Sequence, residues 1–332
     1  MIKHSTFKPA WWLRNSHLQT IYPAFFRRSP LQLSRQRQRL QLSDGDFLDL
    51  DFYGSSAQPL VLLLHGLAGN SHSGYILGLQ NHLDHEGLAS VVMNYRGCSG
   101  EPNRLARAYH AGDSEDLHQV FGYLQQQFPN RFMAVVGFSL GGNILLKWLG
   151  EGRVIQGLSA AVAVSVPLQL DICATRLDNG FSKLYREYLL ADLKRFMRYK
   201  YSGLIRNGLP KEADKIMALG DLNSIHSFWD YDDKVVARLH GFAGVEDYYQ
   251  HASSGQYLFN VKHPCLILQA SDDPFMTPEV VPSKDELSPN IEFELSENGG
   301  HVGFIAGSVP GRPEYWLELR ISSFLQQYLP AG

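Results

Sequence analysis

One short segment places a serine in a pattern typical of enzymatic nucleophiles. Residues 137–142 read Gly-Phe-Ser-Leu-Gly-Gly, which fits the pattern G-x-S-x-G. An apolar run at 132–136 precedes it and a helical pattern begins at Leu140, so a strand, a sharp turn and a helix are expected there. A side chain at either glycine of the pattern would crowd such a turn. We therefore predict that Ser139 is a nucleophile beside a helix N-terminus, where negative charge is stabilised.

A serine hydroxyl is a weak nucleophile and needs a base, and the later part of the chain offers one. His301 lies in a glycine-rich loop after a predicted strand, and Asp272 and Asp273 follow a strand that ends at Ala270. Both loops are expected at the sheet edge that carries Ser139. The histidine would take the serine proton and pass it to the leaving alcohol, while the aspartate orients the imidazole. The spacing from the strand favours Asp273, and Asp272 stays open as the alternative.

Two backbone N–H groups are needed to stabilise the oxyanion that forms during acyl transfer. One is expected from Leu140, the residue after the nucleophile. The other is expected from the loop 65–69, which follows the first buried strand and reads His-Gly-Leu-Ala-Gly. Within this loop we assign the donor to Leu67 and interpret His65 as a side chain that shapes the loop.

Strand and helix patterns alternate along most of the chain, which predicts an α/β fold with a mostly parallel central sheet and helices on both faces. A hairpin is expected first, around residues 40–52, with a turn at Asp44-Gly45. The continuous apolar runs that predict buried strands are 60–64, 90–95, 132–136, 160–166, 265–270 and 291–295.

The alternation is interrupted between residues 168 and 258, where helical stretches rich in aromatic and basic residues replace the apolar runs. We interpret 168–258 as a helical lid inserted into a single domain that spans residues 1–332. Large apolar side chains in this segment are expected to line an acyl pocket, with ordinary core packing as the alternative. These residues are Phe181, Tyr185, Tyr188, Leu189, Leu190, Phe196 and Met197.

The first 30 residues hold many large apolar side chains but no clean helical stripe. We expect an irregular arm, residues 1–30, packed on the body of the domain. The alternative is an anchor on a membrane surface, with Arg14, Arg27 and Arg28 facing lipid headgroups.

Composition limits the partners that need to be considered. The chain has 332 residues and a formal net charge of -3, so no broad attraction to nucleic acid is expected. Its three cysteines are far apart and lack zinc-site spacing, and no nucleotide-binding or metalloprotease motif occurs. We predict no cofactor and no metal. Without an apolar span or a signal-peptide pattern, a cytoplasmic location is the expectation.

Arg96 lies in a glycine-containing stretch after the second buried strand, and its role is open. The favoured interpretation is an ion pair with an acidic group in the core loops. The alternative is contact with a substrate head group.

Several segments, taken together, resemble the α/β-hydrolase superfamily and more closely its YheT-like branch. The resemblance covers nearly the whole chain and implies a triad of Ser139, Asp273 and His301, activity on acyl esters as esterase, lipase or acyltransferase, and no cofactor. The segments are 15–20 (Asn-Ser-His-Leu-Gln-Thr), 44–46 (Asp-Gly-Asp), 65–67 (His-Gly-Leu), 95–103 (Tyr-Arg-Gly-Cys-Ser-Gly-Glu-Pro-Asn), 137–143, 272–275 (Asp-Asp-Pro-Phe) and 299–304.

The resulting functional prediction is hydrolysis of small-molecule carboxylic esters with short- to medium-chain apolar acyl groups, through a covalent acyl-enzyme. Two alternatives stay open. One is acyl transfer to an alcohol, which uses the same residues. The other is a catalytically silent binding module, since a fold does not dictate a function.

Overall fold

A nine-stranded sheet runs through the molecule. The structure is a computed structural model that describes residues 2–27, 33–55 and 58–329. The strands are β1 Ile2–His4, β2 Gln36–Gln41, β3 Phe47–Tyr53, β4 Leu60–Leu64, β5 Ala89–Asn94, β6 Met133–Phe138, β7 Leu158–Val164, β8 Cys265–Ala270 and β9 Ile291–Ser296, with a separate small pair, β10 Ile305–Ala306 and β11 Glu314–Tyr315.

The strand order across the sheet is β1-β9-β8-β7-β6-β4-β5-β3-β2. Every neighbouring pair from β1 to β5 is parallel, and only β3 and β2 run antiparallel to their neighbours. The predicted mostly parallel sheet is therefore confirmed, and the predicted hairpin corresponds to β2 and β3. The carboxyl ends of the parallel strands meet at one edge, which gathers the loops that follow β4, β6, β8 and β9.

Helices cover both faces of this sheet. In β4, Leu62 and Leu64 belong to one buried apolar cluster and Val61 and Leu63 to another, on opposite faces. This double burial explains why the strand reads as an unbroken apolar run. The helices are α1 Ser16–Phe26, α2 Gly74–His85, α3 Ser114–Gln127, α4 Leu140–Gly150, α5 Leu170–Leu177, α6 Ser182–Arg206, α7 Pro210–Met217, α8 Phe228–Tyr231, α9 Arg238–His240, α10 Val245–Ala252 and α11 Trp316–Leu325.

Helices α5 to α10 all lie between β7 and β8, so the helical segment is inserted after the strand that follows α4, as predicted. We call these helices and the turns between them the helical insertion. A π-helical turn, Asp232–Ala237, joins α8 to α9 within it. Its action as a lid, its limits at 168 and 258, and the single domain over 1–332 remain predictions.

The N-terminal arm has more regular structure than its sequence pattern indicates. Strand β1 pairs in parallel with β9 at the sheet edge, and α1 follows with Asn15 capping its first turn. The expectation of an irregular segment was wrong because a three-residue strand shows no periodicity and α1 has no clean apolar stripe. Phe7 packs in the core, whereas Phe25 and Phe26 are exposed. Arg28 lies outside the described residues.

Two findings concern the whole described part of the chain. No helix in it combines the length and the apolar character needed to cross a bilayer. The three cysteines, Cys98, Cys173 and Cys265, are all free thiols.

Candidate active site

Ser139 lies on the sharp turn between β6 and α4. Its φ of 52° and ψ of -119° are a strained combination for a residue with a side chain. The turn is closely packed: a Cβ on Gly137 would lie 2.4 Å from the carbonyl oxygen of Gly141, and a Cβ on Gly141 would lie 2.6 Å from that of His65. Glycine at both positions therefore allows the turn that holds the serine at the carboxyl end of β6.

His301 joins Ser139 to Asp273 through two hydrogen bonds. Its Nε2 lies 2.9 Å from the Ser139 Oγ, and its Nδ1 lies 2.8 Å from an Asp273 carboxylate oxygen. The imidazole is 10% exposed and the Asp273 side chain 1% exposed. The second Asp273 oxygen accepts a hydrogen bond from the Phe275 backbone N–H. Three side chains from distant parts of the chain thus form one continuous line of hydrogen bonds.

Asp272 contacts a different part of the same loop. One of its oxygens accepts a hydrogen bond from the Gly300 N–H at 2.9 Å. Burial, as the main cause, raises the pKa of this carboxyl to about 6. The structure therefore puts Asp273 beside the imidazole and Asp272 against the backbone that precedes it.

The loop that carries His301 is strained and held from outside. Val302 and Phe304 have φ values of 58° and 46°, which are unfavourable for residues with side chains. The His301 N–H donates to the Thr20 Oγ1 at 2.9 Å, and the Val302 N–H donates to the Ser165 hydroxyl at 3.0 Å. Sequence reasoning gave Thr20 no role, although it ends the segment 15–20 that contributes to the family resemblance.

The imidazole also rests on an aromatic ring. The Phe275 ring stacks on it with a centroid separation of 4.0 Å and an interplanar angle of 3°. This contact, together with the backbone hydrogen bond to Thr20, limits the positions that the His301 side chain can take.

The two predicted oxyanion donors have free N–H groups in the described part of the chain: neither Leu67 nor Leu140 donates to a protein acceptor. The loop that carries Leu67 is anchored on either side, because the Gly66 N–H donates to the Tyr75 hydroxyl and the Ala68 N–H to the Tyr109 hydroxyl. A Cβ on Gly66 would lie 3.3 Å from the Ser139 Cβ. The loop thus passes directly beside the serine.

His65 is fully buried and shapes this loop, as interpreted from the sequence. Its Nδ1 pairs with the Gly66 carbonyl oxygen at 2.8 Å and its Nε2 with the Tyr95 N–H at 3.3 Å. Because the carbonyl can only accept and the N–H can only donate, Nδ1 carries the proton. Burial lowers the pKa of His65 to about 4, so the ring is neutral near pH 7.

Arg96 forms ion pairs in the core, which agrees with the favoured interpretation. Its side chain is fully buried, with nitrogens 2.6 Å from Asp116, 2.8 Å from Asp44 and 3.1 Å from Asp46. The residue does not border the cavity next to Ser139. It connects the turn of the β2–β3 hairpin to α3 instead.

A cavity of about 650 Å³ opens beside Ser139 and His301. Its wall combines α1, the loop with Leu67 and the helical insertion. Most of the lining side chains are apolar or aromatic, and among the described residues no cluster of three potential metal ligands occurs. Of the insertion residues predicted to line a pocket, Leu190 and Met197 lie in the core instead, and those that border the cavity are Phe181, Tyr185, Tyr188, Leu189 and Phe196.

A family model described as the α/β hydrolase fold matches residues 59–308, about three quarters of the chain. The chain belongs to the α/β-hydrolase family. It is 40% identical to an Escherichia coli K12 protein named "Putative esterase YheT", over 98% of this chain and 94% of that protein. The YheT-like resemblance is confirmed by this match.

More distant relatives carry lipase names. The Bos taurus "Phospholipase ABHD3" is 28% identical over 98% of this chain and 80% of its own length. Among solved structures, the Pyrococcus furiosus esterase PF2001 matches with a TM-score of 0.59 at 18% identity, covering 90% of this chain and 92% of that one. This structural likeness shows a shared α/β-hydrolase fold.

Proposed function

We propose that this protein hydrolyses carboxylic esters through a covalent acyl-enzyme formed on Ser139. The observation that carries the proposal is the line of hydrogen bonds from Ser139 through His301 to Asp273, which opens onto a largely apolar cavity. Names of relatives that include esterase and phospholipase support ester bonds as the target.

The proposed mechanism has two half-reactions. His301 Nε2 takes the Ser139 proton as Oγ attacks the ester carbonyl, and the Leu67 and Leu140 N–H groups stabilise the oxyanion. Collapse of the intermediate breaks the bond to the alcohol, which leaves with the proton held by His301. Water then attacks the acyl-enzyme and gives a proton to the same nitrogen. The bond between the acyl group and the Ser139 Oγ breaks, the proton on His301 passes to Oγ, and the acid is released. Asp273 keeps the imidazole oriented and stabilises its protonated form.

The cavity supports apolar acyl groups of short to medium length as the proposed substrates. Aromatic and aliphatic side chains form most of its wall, and burial of an acyl chain there removes apolar surface from water. Helix α6 contributes four of the five insertion residues that border it, and Phe181 directly precedes this helix. We therefore propose that the helical insertion acts as the lid over the acyl chain.

The test is hydrolysis of p-nitrophenyl esters of increasing acyl length by the wild type and by Ser139→Ala. Loss of the nucleophile is expected to lower kcat by about 10⁶-fold, which leaves only the rate enhancement that comes from substrate binding and the oxyanion donors. Ser202→Ala is the matched control, because this hydroxyl lies on an exposed face of α6 and donates only to the Arg198 carbonyl.

Labelling with a fluorophosphonate probe checks the same assignment independently of the substrate. An adduct on Ser139 that is absent from Ser139→Ala is expected. Equal ester turnover in the two proteins would refute the nucleophile, and a wild type with neither turnover nor adduct would instead support the silent binding module. Added short alcohols measure acyl transfer: an ester product formed at the expense of the acid would assign that activity.

A further inference from the structure

The wall of the cavity carries a carboxylate that the proposed hydrolysis does not use. Asp232 borders the same cavity as Ser139 and is the first residue of the π-helical turn in the helical insertion. Such turns are rare and often occur at functional sites. The position of Asp232 in a largely apolar wall therefore needs an explanation.

The contacts of Asp232 leave much of its hydrogen-bonding capacity free. The Tyr249 hydroxyl donates to one carboxylate oxygen at 2.7 Å. Within the described residues no lysine, arginine or histidine forms an ion pair with this carboxylate, and its other oxygen accepts no hydrogen bond. Asp232 is partly buried and borders the cavity, so this oxygen is available to accept a hydrogen bond from a bound ligand.

A donor borders the same cavity, on His110. The His110 Nδ1 accepts a hydrogen bond from the Gly112 N–H at 3.1 Å, so the proton of the neutral ring is on Nε2. That N–H has no acceptor among the described residues. The Tyr248 ring packs against His110 with a centroid separation of 5.6 Å and against the ring of Tyr249, the residue bound to Asp232, at 5.4 Å.

We propose that Asp232, with His110 as a second polar group of the cavity wall, forms a polar subsite for a hydroxyl group of the substrate, remote from the ester bond. A hydroxyl both donates and accepts, which matches a carboxyl group and an imidazole N–H. This inference rests on the proposed ester hydrolysis and narrows its substrate class to hydroxylated esters. The hydroxyl belongs either to the acyl chain or to the alcohol part.

An uncharged ligand fits the surroundings better than a cation. Burial, as the main cause, raises the pKa of Asp232 to about 7, which shows that the site opposes charge on this carboxyl. Moving an ammonium group into the same surroundings would carry a similar desolvation cost. A hydroxyl avoids that cost and can still form a hydrogen bond with either free group.

The test compares kcat/KM for matched pairs of esters with the full-length protein. One arm uses p-nitrophenyl esters of hexanoic, octanoic and decanoic acids against their ω-hydroxy counterparts. The other uses the glycerol monoester of octanoic acid against its propyl ester. The wild type is expected to prefer the hydroxylated member of at least one pair by about tenfold, the effect of one hydrogen bond made in a buried site.

Variants assign that preference to Asp232. Asp232→Leu is expected to lower the ratio of hydroxylated to plain kcat/KM by about tenfold, whereas Asp232→Asn, which keeps uncharged hydrogen-bonding groups, should retain most of it. Asp233→Leu is the matched control, because Asp233 binds the Val245 N–H and does not border the cavity. The ratio is independent of the fraction of folded enzyme, so partial misfolding does not alter the outcome.

The outcomes separate this inference from the proposed function. Hydrolysis of plain esters with no hydroxyl preference in either arm would overturn the subsite and leave ester hydrolysis intact. A wild type that hydrolyses no ester would overturn both. Preference for a trimethylammonium-terminated acyl chain over the ω-hydroxy chain, lost in Asp232→Asn, would replace the hydroxyl with a cation and so refute the inference.

Discussion

Asp272 and Asp273 are neighbours in the chain, yet their carboxylates bind different parts of the loop that carries His301. Asp273 contacts the imidazole Nδ1, while Asp272 accepts the Gly300 N–H. Only the first contact orients the ring that is proposed to move the proton. The second holds the backbone in the conformation that brings the ring toward Ser139.

This difference predicts unequal effects of the same substitution. Asp273→Asn is expected to lower kcat on p-nitrophenyl esters by about 10⁴-fold, because an amide no longer fixes the imidazole tautomer or stabilises its charge. Asp272→Asn retains an oxygen that can accept from Gly300 and is expected to cost about tenfold or less. Steady-state kinetics with both variants checks this, and a larger loss in Asp272→Asn would exchange the two roles.

The N-terminal helix α1 supports the loop that carries His301. The Gln19 side chain, fully buried, donates to the Leu13 and Ile305 carbonyls and accepts from the Ile305 N–H. Thr20, the next residue of the same helix, accepts a hydrogen bond from the His301 N–H through its hydroxyl oxygen. The helix therefore holds in place a loop whose own backbone is strained.

We expect Thr20 to be a positioning residue for His301. Thr20→Val removes the acceptor and leaves the partly buried His301 N–H unpaired, so kcat should fall about tenfold with little change in KM. Thr20→Ser restores the hydroxyl and should return kcat close to the wild-type value. A Thr20→Ser enzyme as slow as Thr20→Val would instead indicate that the methyl group and packing matter.

The sequence was most informative where a local pattern of residue types is enough to determine the structure. Strands β4 to β8 could be predicted because burial on both faces requires continuous apolar runs, and the sharp turn at Ser139 because it requires glycines. Strand β1 could not be predicted, since three residues depend on pairing with β9. The contact of Thr20 could not be predicted either, because its partner His301 lies 281 positions later in the chain.

Buried polar and charged side chains connect the helical insertion to the body of the molecule. Lys200 of α6 is 1% exposed, and its ammonium group donates to the Asn103 side chain. Asn103 in turn donates to Asp46, which pairs with Arg96. The insertion is thus tied to the hairpin turn through polar groups that are removed from water.

Lys200 should make stability depend on pH in a defined direction. Burial, as the main cause, lowers its pKa from 10.5 to about 7. Between these two pH values the unfolded chain binds more protons at Lys200 than the folded chain does. The free energy of unfolding therefore rises with pH. Below about pH 6 Lys200 is protonated in both states, and its contribution no longer changes with pH. From about pH 7 to about pH 9, the wild type should gain about 2 kcal/mol of unfolding free energy relative to Lys200→Met.

Urea unfolding at both pH values measures this gain. Lys215→Met is the control, because the Lys215 side chain is 60% exposed and its removal should cost less than about 1 kcal/mol at either pH. A constant difference between wild type and Lys200→Met across the two pH values would show that Lys200 stays charged in the folded protein.

The two edge strands of the sheet are poorly suited to pairing with a strand of another chain. Strand β1 is only three residues long, and β2 is a polar strand whose Arg37 and Arg39 pair across to Asp51 and Asp49 of β3. Short edges and edges lined with charge are the features by which native proteins avoid intermolecular β-pairing. Aggregation of this protein is therefore expected to begin from partly unfolded chains and not from native molecules that meet edge to edge.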